Sequence, residues 1–278
     1  MTTPSLAQTP AAAPARSSRL RAWGLRAAAR GSRLVVPLAL LAAWEIGAAA
    51  GWVSTRAVSS PLAIASTLLE LASTGELMQH LFVSLGRVAT GSAIGISLGV
   101  ALALVAGLST RGEDAVDATL QMVRTLPHLA LVPLFILWFG IGEEPKVILV
   151  ALGVLIPIYL NLFAGIRGVD ARVLEAVGTL GLSRAERIWH VVLPGALPSF
   201  LVGLRYALSV AWLSLVVGEQ INASSGIGYL AMTARDYLRT DIILACLLVY
   251  ALLGLATDQL VRALERRLLA WRPQHVGA

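Results

Sequence analysis

Apolar residues in this chain come in long blocks, and most polar residues fall in the gaps between them. A helix that crosses a bilayer needs about 20 predominantly apolar residues. Blocks near 34–52, 82–108, 118–139, 146–165, 199–218 and 241–264 meet that requirement. The pattern predicts an all-α integral membrane protein with six transmembrane helices. The third block is the least regular, because Arg124, Pro127, His128 and Pro133 interrupt it. Between the first two blocks, Leu62, Ile64, Leu68, Leu69 and Leu71 make an amphipathic pattern that predicts a short helix on the outer surface. No internal repeat is visible, which argues against inverted-repeat transporter folds.

The gap at about 166–198 is long and carries its own local signals. Asp170 is placed to cap a helix over Ala171 to Leu180, and Gly181 to end it in a left-handed conformation. Ser183 with Glu186 three residues later spells a capping box, opening a second helix from Arg184 to about Leu193. Pro194 is expected to stop that helix. On the first helix Val173, Val177 and Leu180 share a stripe, while Ala171, Ala176 and Gly178 keep other faces small. Two readings follow: a surface for a partner protein, or an amphipathic helix resting on lipid headgroups.

Composition supports the membrane assignment. Hydrophobic residues make up 57% and charged residues 14%, against about 25% charged in soluble domains. The net charge of +6 comes almost wholly from arginine. In a soluble chain that excess suggests nucleic acid; here its distribution reports orientation instead. With the N-terminus inside, the cytoplasmic side receives six arginines in residues 1–33, then Arg111, Arg167, Arg172, Arg184 and Arg187. Arg262, Arg266, Arg267 and Arg272 complete it. Only Arg56, Lys146, Arg235 and Arg239 fall outside, so both termini are expected in the cytoplasm. Residues 1–33, rich in Ala, Pro and Ser, read as a disordered basic cytoplasmic arm. Residues 34–272 read as the permeation domain and 273–278 as a tail. The first apolar block exceeds the 7–15 residues of a signal-peptide core, so an uncleaved membrane helix is expected. The single cysteine, Cys246, excludes a disulfide framework within the chain.

The stretch "EAVGTLGLSRAERIWHVVLP" resembles the EAA loop of ATP-binding-cassette importer permeases, E-A-A-x3-G-x9-I-x-L-P. Glu175, Ala176, Gly181, Leu193 and Pro194 match, whereas Val177 and Val191 replace alanine and isoleucine. The resemblance implies a type I importer permease fold, with this loop as the coupling helix that docks on an ATPase. It implies a homodimer in the cell inner membrane, two cytoplasmic ATPase subunits holding ATP and Mg, and an extracytoplasmic solute-binding protein. "GELMQHL", "LPHLALVPLFILWFGIGEEPK" and "SSGIGYLAMTARDYLRTD" look most like aliphatic sulfonate permeases, with nitrate, taurine and pyrimidine-precursor permeases as alternatives.

Absent motifs limit the chemistry. A Walker loop needs G-x-x-x-x-G-K-[ST], and the only lysine, Lys146, lies in "GEEPKV". ATP hydrolysis is therefore expected on another polypeptide, with no cofactor bound by this chain and no enzymatic activity of its own. His80, His128, His190 and His275 lack metal-ligand spacing, and no G-x-S-x-G element appears. Arg124, His128, Glu219 and Asn222 are candidates for the translocation path, since ionisable groups in membrane runs usually face protein or water. Competing readings are snorkelling for Arg124 and Arg205, a packing kink at His128, and an ordinary turn after Glu219. Glu45 is a structural partner or a proton relay. Two other classes remain open: a proton-coupled transporter using Glu45 or Asp258, and an intramembrane enzyme using His128 and Glu219.

Overall fold

The computed structural model describes residues 35–52, 54 and 57–271, without the side chain of Asn222. The basic arm and the tail predicted from sequence lie outside these residues. Residues up to Leu62 form one unit and those from Ala63 onward a second. In the first unit, α1 (Val35–Ala49) is apolar and about 22 Å long at 1.5 Å per residue. Its Glu45 carboxylate accepts a hydrogen bond from the Leu62 amide at 3.0 Å. That contact gives Glu45 the structural partner foreseen as one of its two roles.

All described elements are helical: α2 (Pro61–Ser73), α3 (Glu76–Leu108), α4 (Thr110–Val123), α5 (Val132–Phe139), α6 (Glu144–Arg167), α7 (Ala171–Thr179), α8 (Arg184–Arg187), α9 (Leu193–Asn222), α10 (Ile227–Asp236) and α11 (Thr240–Leu268). Four stretches are long and apolar enough to cross a membrane: α3, α6, α11, and α8 run together with α9.

Two predicted boundaries change. The 118–139 block is not one helix: α4 and the segment from His128 to Phe139 meet at 81°. Pro127 excludes the preceding residue from helical geometry and supplies no amide hydrogen. A single 3-10 turn, His128–Leu131, then restarts the chain before α5. Pro194 likewise does not end the second helix of the loop. A π turn over Ile188–Val192 joins α8 to α9, and α9 continues for 30 residues. Pro194 cannot donate to the carbonyl four residues back and its ring crowds it; one wide turn opens the spiral enough to pass the ring.

The second unit is organised around α6, which packs along α3 on one side and α9 on the other. Glycines permit both approaches. On α3, Gly91, Gly95, Gly99 and Gly107 recur at helical spacing against Val150, Val154, Ile158 and Ile166 of α6. A Cβ at Gly95 would lie 2.4 Å from the Ala151 carbonyl oxygen. In lipid, where apolar burial drives association weakly, such close backbone contact is the main source of helix–helix attraction. The α6–α9 contact repeats the device, with Gly165 against Ser199 and Gly203 against Asn161. Tyr159, fully buried, donates to Asp117 of α4 at 2.9 Å and fastens the bent pair to α6.

Candidate functional site

Three places hold the residues singled out from the sequence. The first is the loop element between α6 and α9. The Asp170 side chain accepts from the Arg172 amide at 2.9 Å and caps α7. At the other end Gly181 has φ 84°. The amide of Gly181 donates to Gly178 and that of Leu182 to Val177, the paired bonds of a Schellman ending. Ser183 and Glu186 then form the complete capping box. Arg184 donates to the Leu108 carbonyl at 3.2 Å, which ties the second helix to the end of α3. Glu175, Ala176 and Gly181 are exposed, while Val177, Val191, Leu193 and Pro194 are half-buried. The exposed face also presents Val173, Leu180 and Trp189, the last 69% accessible. This is a capped corner whose outer surface mixes apolar side chains with both acidic and basic ones, Glu175 and Glu186 beside Arg172 and Arg184, continuous through α8 with a 38-residue helix.

The second place is the break between α4 and α5. There Arg124, His128, Leu131, Gly153, Ile156 and Tyr206 are among the residues lining an open cavity of about 300 Å³. His128 Nε2 lies 3.1 Å from the buried hydroxyl of Ser214 on α9. Arg124 and His128 are thus brought together by the structure. Arg124 is the exposed residue that caps the C-terminal end of α4, at the start of the break.

The third place is a buried ionic cluster that sequence reasoning largely missed. Glu219 of α9 and Arg87 of α3 are 1% and 4% exposed. Arg87 donates to Glu219 at 2.7 Å, to the Ser225 carbonyl at 2.6 Å and to Glu143 through two nitrogens. Glu219 also accepts from Ser84, from Tyr250 and from the Gly228 amide. Lys146, buried on the first turn of α6, completes the set by donating to Glu143 and the Gly142 carbonyl. Glu143 lies in the connection before α6, where hydrogen bonds from Arg87 hold its carboxyl down to about 2; Lys146 adds to this and burial opposes it. Glu219 therefore does not line the Arg124–His128 cavity; it knots α3, α9, α10 and α11 together. Asn222 is the last residue of α9. The available signal was Arg87 itself, a cation inside an apolar block, which demands a buried partner.

Comparison with known proteins decides what scaffold this is. Residues 95–270 match the family described as the binding-protein-dependent transport system inner membrane component. The chain belongs to this family. A putative aliphatic sulfonates transport permease of Escherichia coli K12 is 46% identical over 240 residues, covering 86% of this chain and 91% of the relative. A protein of the same description from Bacillus subtilis 168 is 44% identical over 244 residues, covering 88% of each. The taurine transport system permease of E. coli K12 is 35% identical over 237 residues, covering 84% and 86%. Among solved structures, an amino acid ABC transporter with histidines superposes with a TM-score of 0.58 at 20% identity, over 72% of this chain and 97% of that one. The inward-facing MetNI methionine transporter gives 0.52 at 18%, over 65% and 92%. The fold is that of a type I ABC importer permease, and the protein is a multi-pass inner-membrane component of a transport system.

Proposed function

We propose that this permease imports aliphatic sulfonates, powered by ATP on a separate subunit and supplied by a solute-binding protein. Two copies of the chain pair to enclose the pathway, six helices each, with both termini in the cytoplasm. Two ATPases hold ATP and Mg and dock on Glu175, Ala176 and Val177 of α7 and on Gly181 in the turn that ends it. Val191, Leu193 and Pro194 join that corner to α9. The observation that carries the reading is the capped corner itself, because α8 is continuous with a long membrane helix. A displacement imposed on α7 at the Schellman turn is transmitted into α9 rather than absorbed in a loose loop. ATP-driven closure then acts by contacting the inward-open and outward-open states differently. Identity to two sulfonate permeases supports the substrate class.

Docking is tested by co-purifying the ATPase with Glu175→Lys and Gly181→Asp. Both permeases are expected to insert and fold normally but to lose the ATPase or its coupling to uptake. No Cβ contact within 4 Å opposes a side chain at Gly181, so the second change acts through its left-handed backbone and its charge. Full association and uptake in both variants would overturn the docking assignment. The Arg124–His128 cavity lies along the pathway in this reading.

A further inference from the structure

The cavity at the α4–α5 break occupies a distinctive depth. Gly153 and Pro157 lie about 13 and 20 Å from the start of α6 at 1.5 Å per residue, midway along a 24-residue helix. Irregular backbone at such depth is found where it is buried in protein or lines an aqueous space. Around it the polar lining is all of one kind: the Arg124 guanidinium, the His128 imidazole and the Tyr206 phenol, with no carboxylate. The remaining wall includes Leu131, Leu152 and Ile156.

Arg124 differs from the other two arginines inside the apolar blocks. Arg87 pairs with Glu219 and Glu143, and Arg205 with Asp258 and Glu265. The Arg124 guanidinium has no hydrogen-bond or ionic partner among the described residues. Arg124 and Tyr206 are exposed and so line the open side of the cavity, and a guanidinium left unneutralised there beside two further hydrogen-bond donors is complementary to an anion. Ser214 is fully buried beside His128 Nε2; when its hydroxyl donates there, the imidazole keeps its proton on Nδ1 as a donor. The volume suits a small ligand, and the aliphatic wall suits a short hydrocarbon tail.

We infer that this cavity is a permease-borne subsite for a short alkanesulfonate. Arg124 takes the sulfonate oxygens, His128 and Tyr206 add hydrogen bonds, and Leu131, Leu152 and Ile156 receive the alkyl chain. The inference rests on the proposed sulfonate function and adds substrate recognition within the membrane to that of the binding protein.

The test is equilibrium binding of radiolabelled butanesulfonate to the purified permease–ATPase complex without the binding protein. Saturable binding is expected, competed by ethanesulfonate but not by butanol. Affinity should rise about fourfold per methylene from ethane- to butanesulfonate, the equivalent of burying one CH₂. Arg124→Gln should weaken binding by about 10-fold or more, with Arg124→Lys intermediate. Neither change removes a partner seen in the fold, so intact ATPase association serves as the folding control. Absence of saturable binding, or equal affinity in wild type and Arg124→Gln, overturns the subsite. If the complete wild-type transporter still imports alkanesulfonates, the proposed function survives that outcome; if it imports none, both fall.

Discussion

Replacing Glu219 with glutamine changes one atom and should nonetheless destabilise the protein severely. The carboxylate receives hydrogen bonds on both oxygens: Oε1 from Arg87 and Ser84, Oε2 from Ser84, Tyr250 and the Gly228 amide. Glutamine places an NH₂ on one side whichever way it turns. Turned toward Arg87, that group meets a guanidinium that can only donate; turned the other way, it meets a backbone amide that can only donate. The charge is lost as well, and Arg87, 4% exposed, keeps only Glu143 as an ionic partner. Breaking one member of a buried ion pair costs about 3–5 kcal/mol, and the donor–donor clash falls within the about 1–3 kcal/mol of an unsatisfied buried group. Because these overlap, the expected loss is about 3–5 kcal/mol. Equilibrium unfolding in mixed micelles, followed by circular dichroism, measures it. Arg87→Met with Glu219→Met should cost clearly less than the sum of the single changes, since each single change strands the other charge. A Glu219→Gln protein within about 0.5 kcal/mol of wild type would refute the view that this cluster holds the helices together.

Gly95→Leu should abolish stable insertion, because its Cβ alone would lie 2.4 Å from a carbonyl oxygen of α6; recovery of folded protein by size-exclusion chromatography checks this. Ser183→Ala removes one bond of the capping box and should cost about 1 kcal/mol, readable as faster amide exchange over α8. Glu143 titrates at about 2, below the about 4.3 of an ordinary glutamate. Its contribution is therefore complete above about pH 4.3 and fades as pH falls toward 2. Glu143→Gln should flatten the acid limb of a stability–pH profile in that window.

Much of the scaffold was legible because a bilayer imposes simple requirements. Apolar blocks located α3, α6, α9 and α11, and local capping chemistry located α7 and α8 with Gly181 between them. Pro127 and Pro194 defeated the same reasoning in opposite directions. Pro127 broke a block that composition alone joined, and a π turn carried the helix past Pro194. Proline fixes one residue's backbone, whereas packing of the neighbouring turns decides whether the helix survives it. The Arg87–Glu219–Glu143–Lys146 cluster was illegible for another reason. Its members are spread over 133 positions, and ion pairing between helices leaves no spacing rule along the chain. Arg124 and His128, by contrast, are four residues apart, and the break between α4 and α5 sets them on one cavity.

The most direct test of the central claim is uptake of an alkanesulfonate by proteoliposomes containing this permease, its ATPase and its binding protein. Uptake should require all three components and internal ATP, persist when the proton gradient is collapsed, and disappear in Glu175→Lys. Uptake that follows the proton gradient, or that proceeds without the ATPase, would contradict the account.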